Sequence, residues 1–147
     1  MKHFLVILLL VVNIFALEKV FFMPQNAKEA RNEIVKQMNN AKISIDIAMY
    51  NLKYRKFVNA LGKAAKRGVA VKIYYYKKKA KLDKKIKAIK VKDKLHTKIV
   101  IFDKKTVIFG SPNWTKKSFT KNYEVMYMTD KKNTVKKFNK FFKTIKH

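Results

Sequence analysis

Residues 42 to 75 read KISIDIAMYNLKYRKFVNALGKAAKRGVAVKIYY, and their patterning decides the fold. Between Lys42 and Tyr50, apolar residues return at every second position: Ile43, Ile45, Ile47 and Met49 share one face of a predicted β-strand. Asp46 falls on the opposite face, directed at solvent or at a lysine. From Tyr54 to Lys66 the period changes. Phe57, Leu61 and Ala64 now lie three and four residues apart, as on an amphipathic helix, and Gly68 follows as its stop. Val69 to Tyr75 returns to strand composition. Strand, helix and strand in this order predict parallel strands joined by a crossover helix, and hence a layered α/β domain.

The flanking segments extend the same alternation. Lys19 to Met23 predicts a strand closed by Pro24, and Asn26 is placed to cap a helix from Ala27 to Met38 with Ala30, Ile34 and Met38 inward. Lys77 to Lys94 is dominated by lysine. A short helix around Leu82 to Ile89 is expected there, with the charges forming either a phosphate-tracking arm or a solvated face. Tyr74, Tyr75 and Tyr76 immediately before it suit base stacking or, equally, the surface of a sheet. Lys98 to Asp103 and Thr106 to Phe109 read as a hairpin, and Tyr123 to Met128 as a further strand. A closing helix from Asn133 to Ile145 carries Val135, Phe138, Phe142 and Ile145 as its apolar stripe.

Composition bounds the function. A chain of 147 residues, 48% of them hydrophobic, has material for one packed domain rather than a disordered basic tail. Its 36 basic against 9 acidic residues give a formal charge of +27, which calls for a polyanionic partner: nucleic acid first, an anionic membrane surface second. Without cysteine there is no disulfide, thiolate nucleophile or zinc-thiolate site. Residues 1 to 16, MKHFLVILLLVVNIFA, have a basic start and an apolar run too short to span a bilayer comfortably. They are expected to be a secretory signal or, uncleaved, an N-terminal membrane anchor through residues 4–16, preceding a single domain at residues 17–147.

Residues 96 to 113, HTKIVIFDKKTVIFGSPN, carry the chemistry. His96 and Lys98 stand two apart on a predicted strand and so leave from one face. Ser111 and Asn113 repeat that spacing in a turn. Imidazole, ammonium, hydroxyl and carboxamide together suit gripping a phosphate and attacking it. Nine carboxylates in the whole chain, none clustered here, argue against a two-metal site.

The run H-T-K-I-V-I-F-D, followed after six residues by G-S-P-N, resembles the HKD motif of the phospholipase D superfamily, and within it the small bacterial nucleases with one motif per chain. The resemblance spans about residues 19 to 145 and includes N-W-T after the motif and Glu124 on a later strand. It implies a phospholipase D-like fold, a single-domain α/β/α sandwich around a mixed, largely parallel β-sheet. It also implies a metal-independent phosphodiesterase that needs no cofactor. By that resemblance His96 is nucleophile or acid, Lys98 and Asn113 bind the substrate phosphate with Ser111 in support, and Glu124 orients the histidine. Asp103 matches the motif aspartate and is expected to support its loop; read without the motif it is a turn residue before Lys104.

In that family two motifs meet in one active site. The only histidines here are His3, His96 and His147, in the targeting segment, in the motif and at the terminus, so a homodimer that shares one site is expected. The function expected is a periplasmic or secreted endonuclease cleaving DNA, or RNA as well. Two other readings stand beside it: a membrane-anchored phospholipase acting on an anionic lipid such as cardiolipin, and a non-catalytic nucleic-acid-binding protein.

Overall fold

The computed structural model describes residues 16–146. Their elements in chain order are β1 (Glu18–Met23), α1 (Ala27–Asn40), β2 (Ser44–Leu52), α2 (Arg55–Lys66), β3 (Ala70–Lys79), β4 (Lys87–Lys90), β5 (Lys98–Phe102), β6 (Thr106–Gly110), α3 (Lys116–Thr120), β7 (Glu124–Thr129) and α4 (Lys132–Thr144). The signal or anchor expected at residues 1–16 lies, but for Ala16, outside the described residues.

The segment that decided the fold forms β2, α2 and β3 as its two periods require. β2 and β3 pair in parallel, with Ile45 opposite Val71 and Ile47 opposite Ile73. The sheet runs β1-β7-β6-β5-β2-β3-β4. Its helices form two layers. Ile34 and Met38 of α1, Phe57 and Leu61 of α2 and Phe119 of α3 pack with Ile45, Ile47 and Met49 in one core. Val135 and Phe142 of α4 pack with Ile99, Ile101 and Val107 in the other. Each such side chain, fully removed from water, contributes roughly 1.5–3 kcal/mol.

The α/β/α layering and the mixed sheet are those expected, but the proportion of parallel pairing is not. Parallel pairs join only β2 to β3 and β3 to β4. The four other pairings are antiparallel. A short connection explains one of them: the three residues between β5 and β6 cannot span a parallel crossover. Two local expectations also change. Leu82 to Ile89 does not become a helix; Lys87–Lys90 pairs instead with β3, Ala88 opposite Ile73 and Ile89 opposite Tyr74. Edge pairing supplies the hydrogen bonds that a lysine-crowded helix would make against its own charge. Asn26 stands before α1 but leaves the helix uncapped, its side chain accepting instead from the Phe22 N–H at 3.0 Å.

Both acidic residues around the hairpin are anchored. Asp46, only 7% exposed, pairs with Lys104 rather than facing solvent. Asp103 occupies the β5–β6 turn at φ +50°, followed by Lys104 at +58°, left-handed backbone that an aspartate tolerates better than most residues. Its carboxylate accepts hydrogen bonds from the amides of Lys42 (3.0 Å), Ile43 (2.7 Å) and Ser44 (2.9 Å), tying the turn to the entry of β2. Partial burial pushes the Asp103 pKa upward, but the three amides outweigh it and the net shift is below 3.8. A depressed carboxyl pKa stabilises the fold above the unfolded value and loses that contribution as pH falls through the folded one. Asp103→Ala should therefore cost about 2 kcal/mol at neutral pH. Urea midpoints of wild type and variant should converge as pH drops below 3.8.

Candidate active site

The strand directions bring one edge of the sheet together as a working edge. There β1, β2, β3, β4 and β6 end while β5 and β7 begin, and parallel strands conventionally place ligands beyond their carboxyl ends. His96 is exposed just before β5, beside Tyr50 at the end of β2, whose N–H donates to the Thr97 carbonyl at 3.1 Å. Lys98 opens β5. Its Nζ donates to the His96 carbonyl at 2.8 Å and lies 3.3 Å from His96 Nε2.

The turn after β6 is fixed from two sides. Ser111 N–H donates to the Val125 carbonyl at 3.0 Å, while its Oγ donates to Glu124 and accepts from Val125 N–H at 3.0 Å. Trp114 N–H donates to the Asn51 carbonyl at 3.1 Å, and the Trp114 carbonyl accepts from Lys53 and Tyr54 at 2.8 and 2.7 Å. Asn113 is thereby held against the end of β2. The carboxamide oxygens of Asn113 and Asn51 are both buried without a hydrogen-bond partner. Unmet polar capacity of this kind costs about 1–3 kcal/mol, a cost that functional sites characteristically carry.

The electrostatics favour an uncharged imidazole. The Lys98 ammonium lowers the His96 pKa below 6.5, assisted by desolvation and by Lys94. Burial also lowers the Lys98 pKa, with Glu124 pulling the other way. The shift favours a neutral nitrogen base beside the Lys98 donor. Removing that donor's charge should reverse the shift. In Lys98→Met the His96 imidazole should titrate at a higher pH than in wild type, read from its ring resonances by NMR; an unchanged midpoint would refute the coupling.

Of the residues expected at the site, His96 and Lys98 meet directly. Ser111 and Glu124 meet each other, and Asn113 lies on the same edge. Within the chain, the Glu124 oxygens are hydrogen-bonded by Ser111 and, at 3.0 Å, by Asn122, rather than by His96. Asp103 stands at the far end of β5. Tyr50 is an addition. Its ring meets His96 edge-on at 4.8 Å and stacks with Tyr76 at 5.8 Å, and the Nζ atoms of Lys77 and Lys98 each lie 5.7 Å from its centroid. Its place at the carboxyl end of a parallel strand was the available signal. Among the described residues no three histidine or acidic side chains gather as a metal site.

A family model described as "Cardiolipin synthase, PLD-like domain" matches residues 34–146. The chain belongs to the phospholipase D superfamily. Solved structures agree with it in fold. NucT from Helicobacter pylori is 27% identical, with a TM-score of 0.79 over 89% of this chain and 96% of its own. Nuc from Salmonella typhimurium, described as a phospholipase D family member, is 25% identical, with a TM-score of 0.76 over 88% and 93%. Polyphosphate kinase from Porphyromonas gingivalis, at 14% identity, shares the fold over 26% of its length (TM-score 0.71). No curated protein sequence matches the chain. Fold and family are those of phosphodiesterase hydrolases.

Proposed function

We propose that this protein is a metal-independent endonuclease that cleaves DNA, and RNA as well, through a phosphohistidine formed in a homodimeric active site. The observation that carries this reading is the exposed His96 set against Lys98, 3.3 Å from its Nζ, on a chain of charge +27. An imidazole nitrogen of His96 attacks phosphorus, and the P–O bond to the leaving strand breaks. Lys98 and Asn113 hold the non-bridging oxygens, with Ser111 and Glu124 supporting the turn that carries Asn113. The second protomer's His96, which enters the step as the imidazolium, gives its proton to the leaving oxygen and is left as the neutral base. It then deprotonates the water that hydrolyses the phosphohistidine.

A patch beside the site supports the dimer. Phe22 (57% exposed), Tyr123 (88%) and Val125 (44%) are large apolar side chains left open to water, and they line a groove with Ser111 and Glu124. A second copy covering that patch about a two-fold axis would bury them and bring the working edges together. We place the enzyme in the periplasm or outside the cell, on the signal-like character of residues 1–16, or tethered there by residues 4–16.

The test incubates purified protein with plasmid DNA, RNA and cardiolipin vesicles, each with and without EDTA. Nucleic acid cleavage that survives EDTA is expected. Lipid cleavage alone would favour the anionic-lipid phosphodiesterase that the family model's description suggests, and binding without cleavage would leave a nucleic-acid-binding protein. DNA affinity should also fall steeply with salt. Six phosphate contacts would lose about a thousandfold between 50 and 200 mM, and a flat salt dependence would contradict backbone binding.

A further inference from the structure

Beyond His96, away from the apolar patch, the working edge becomes aromatic and basic. Tyr50 and Tyr76 stack nearly parallel, 20° between planes, so His96, Tyr50 and Tyr76 form a continuous row of rings. Tyr76 also lines a groove of about 580 Å³ with Lys90, Val91 and Lys92. Val91 is buried, and its N–H is bonded to the Tyr75 carbonyl at 3.0 Å, which fixes this wall to the end of β3. Lys90 and Lys92 are exposed, as is Lys77 beside the Tyr50 ring. The groove thus offers a half-buried aromatic face, an apolar floor and a cationic rim. A bare phosphate would use only the rim, and a fully paired duplex keeps its bases out of reach.

We infer that this groove receives an unpaired nucleobase of a nucleotide flanking the scissile phosphate, making single-stranded nucleic acid the preferred substrate. The base stacks on Tyr76 over Val91, while Lys77, Lys90 and Lys92 hold the adjoining backbone phosphates. Stacking on an aromatic side chain is tolerant of base identity, so the groove selects strandedness rather than sequence. A duplex must first open to fill it. The inference rests on the nuclease reading above and adds its substrate class.

The test uses the full chain and three fluorescent oligomers of one length: a single strand, its duplex, and a strand whose sugars are all tetrahydrofuran residues without bases. For wild type, kcat/KM on the base-bearing single strand should exceed that on the other two by at least about tenfold, within the range that one stacked base supplies. In Tyr76→Leu, which keeps an apolar side chain packed in place, the preference for base-bearing over base-free strand should collapse toward one. Tyr76→Trp should retain it. The inference is overturned if wild type cleaves the base-free strand as fast as the base-bearing one, or if Tyr76→Leu keeps the wild-type ratio. Wild type that cleaves none of the oligomers overturns the nuclease reading itself.

Discussion

Replacing His96 by alanine should lower phosphodiester cleavage by about four orders of magnitude or more, the scale of losing a covalent nucleophile, while DNA binding stays near wild type. Binding survives because the lysines that meet the backbone are spread over the surface, whereas no other described histidine exists to take over the attack. The same variant tests sharing of the site. If each active centre draws a histidine from both chains, exchanging an equal amount of His96→Ala into wild type poisons the mixed dimers and leaves about half the activity. Full activity after confirmed subunit exchange would mean that each chain works alone. Loss of DNA binding in parallel with cleavage would show instead that the alanine had disturbed the fold.

Gly110→Ala should lower stability by about 3 kcal/mol, with a fall in Tm of about 10 °C. A Cβ at Gly110 would collide with the Val125 carbonyl oxygen and lie 2.9 Å from Met126 Cα. Both are backbone atoms of β7, so no rotamer change makes room. β6 and β7 would have to part where Ser111 N–H bonds Val125 and Ser111 Oγ bonds Glu124, and activity should fall even at temperatures where the variant is folded. Gly62 is the control. A Cβ there meets only the Asp83 Cβ at 3.6 Å, in a helix interior, where alanine is favoured by up to about 1 kcal/mol. Thermal denaturation of the two variants separates the effects; a Gly110→Ala midpoint within 2 °C of wild type would show that the strand pair yields freely.

The layered fold was legible because its signals are local. Ile45, Ile47 and Met49 alternate, Phe57, Leu61 and Ala64 recur at helical spacing, and each period reports one buried face. What escaped depends on partners distant in the chain. β4 lies in a run of lysines and exists because β3 offers an open edge, which nothing in residues 87–90 announces. α3 is five residues long, too short to show a period, and is recognisable only by Thr115, whose Oγ1 accepts from Ser118 N–H at 3.3 Å. At the site, His96 and Lys98 were readable as neighbours because a strand converts a spacing of two into one face. The Ser111–Glu124 contact needed the β6–β7 register, and Tyr50 needed the knowledge that β2 ends beside the start of β5.

The two ends of the motif bolt β2 at both of its ends. At one, Tyr50 N–H meets the carbonyl of Thr97; at the other, Asp103 collects the amides of residues 42 to 44. β5 is therefore a ruler of set length, and Lys98 and the distant aspartate are its marks. One residue added between Lys98 and Asp103 would turn Lys98 to the wrong face or unhook Asp103 from its three amides, because a strand reverses its faces at each step. Substitutions within β5 need only preserve packing, but its count of residues admits no change.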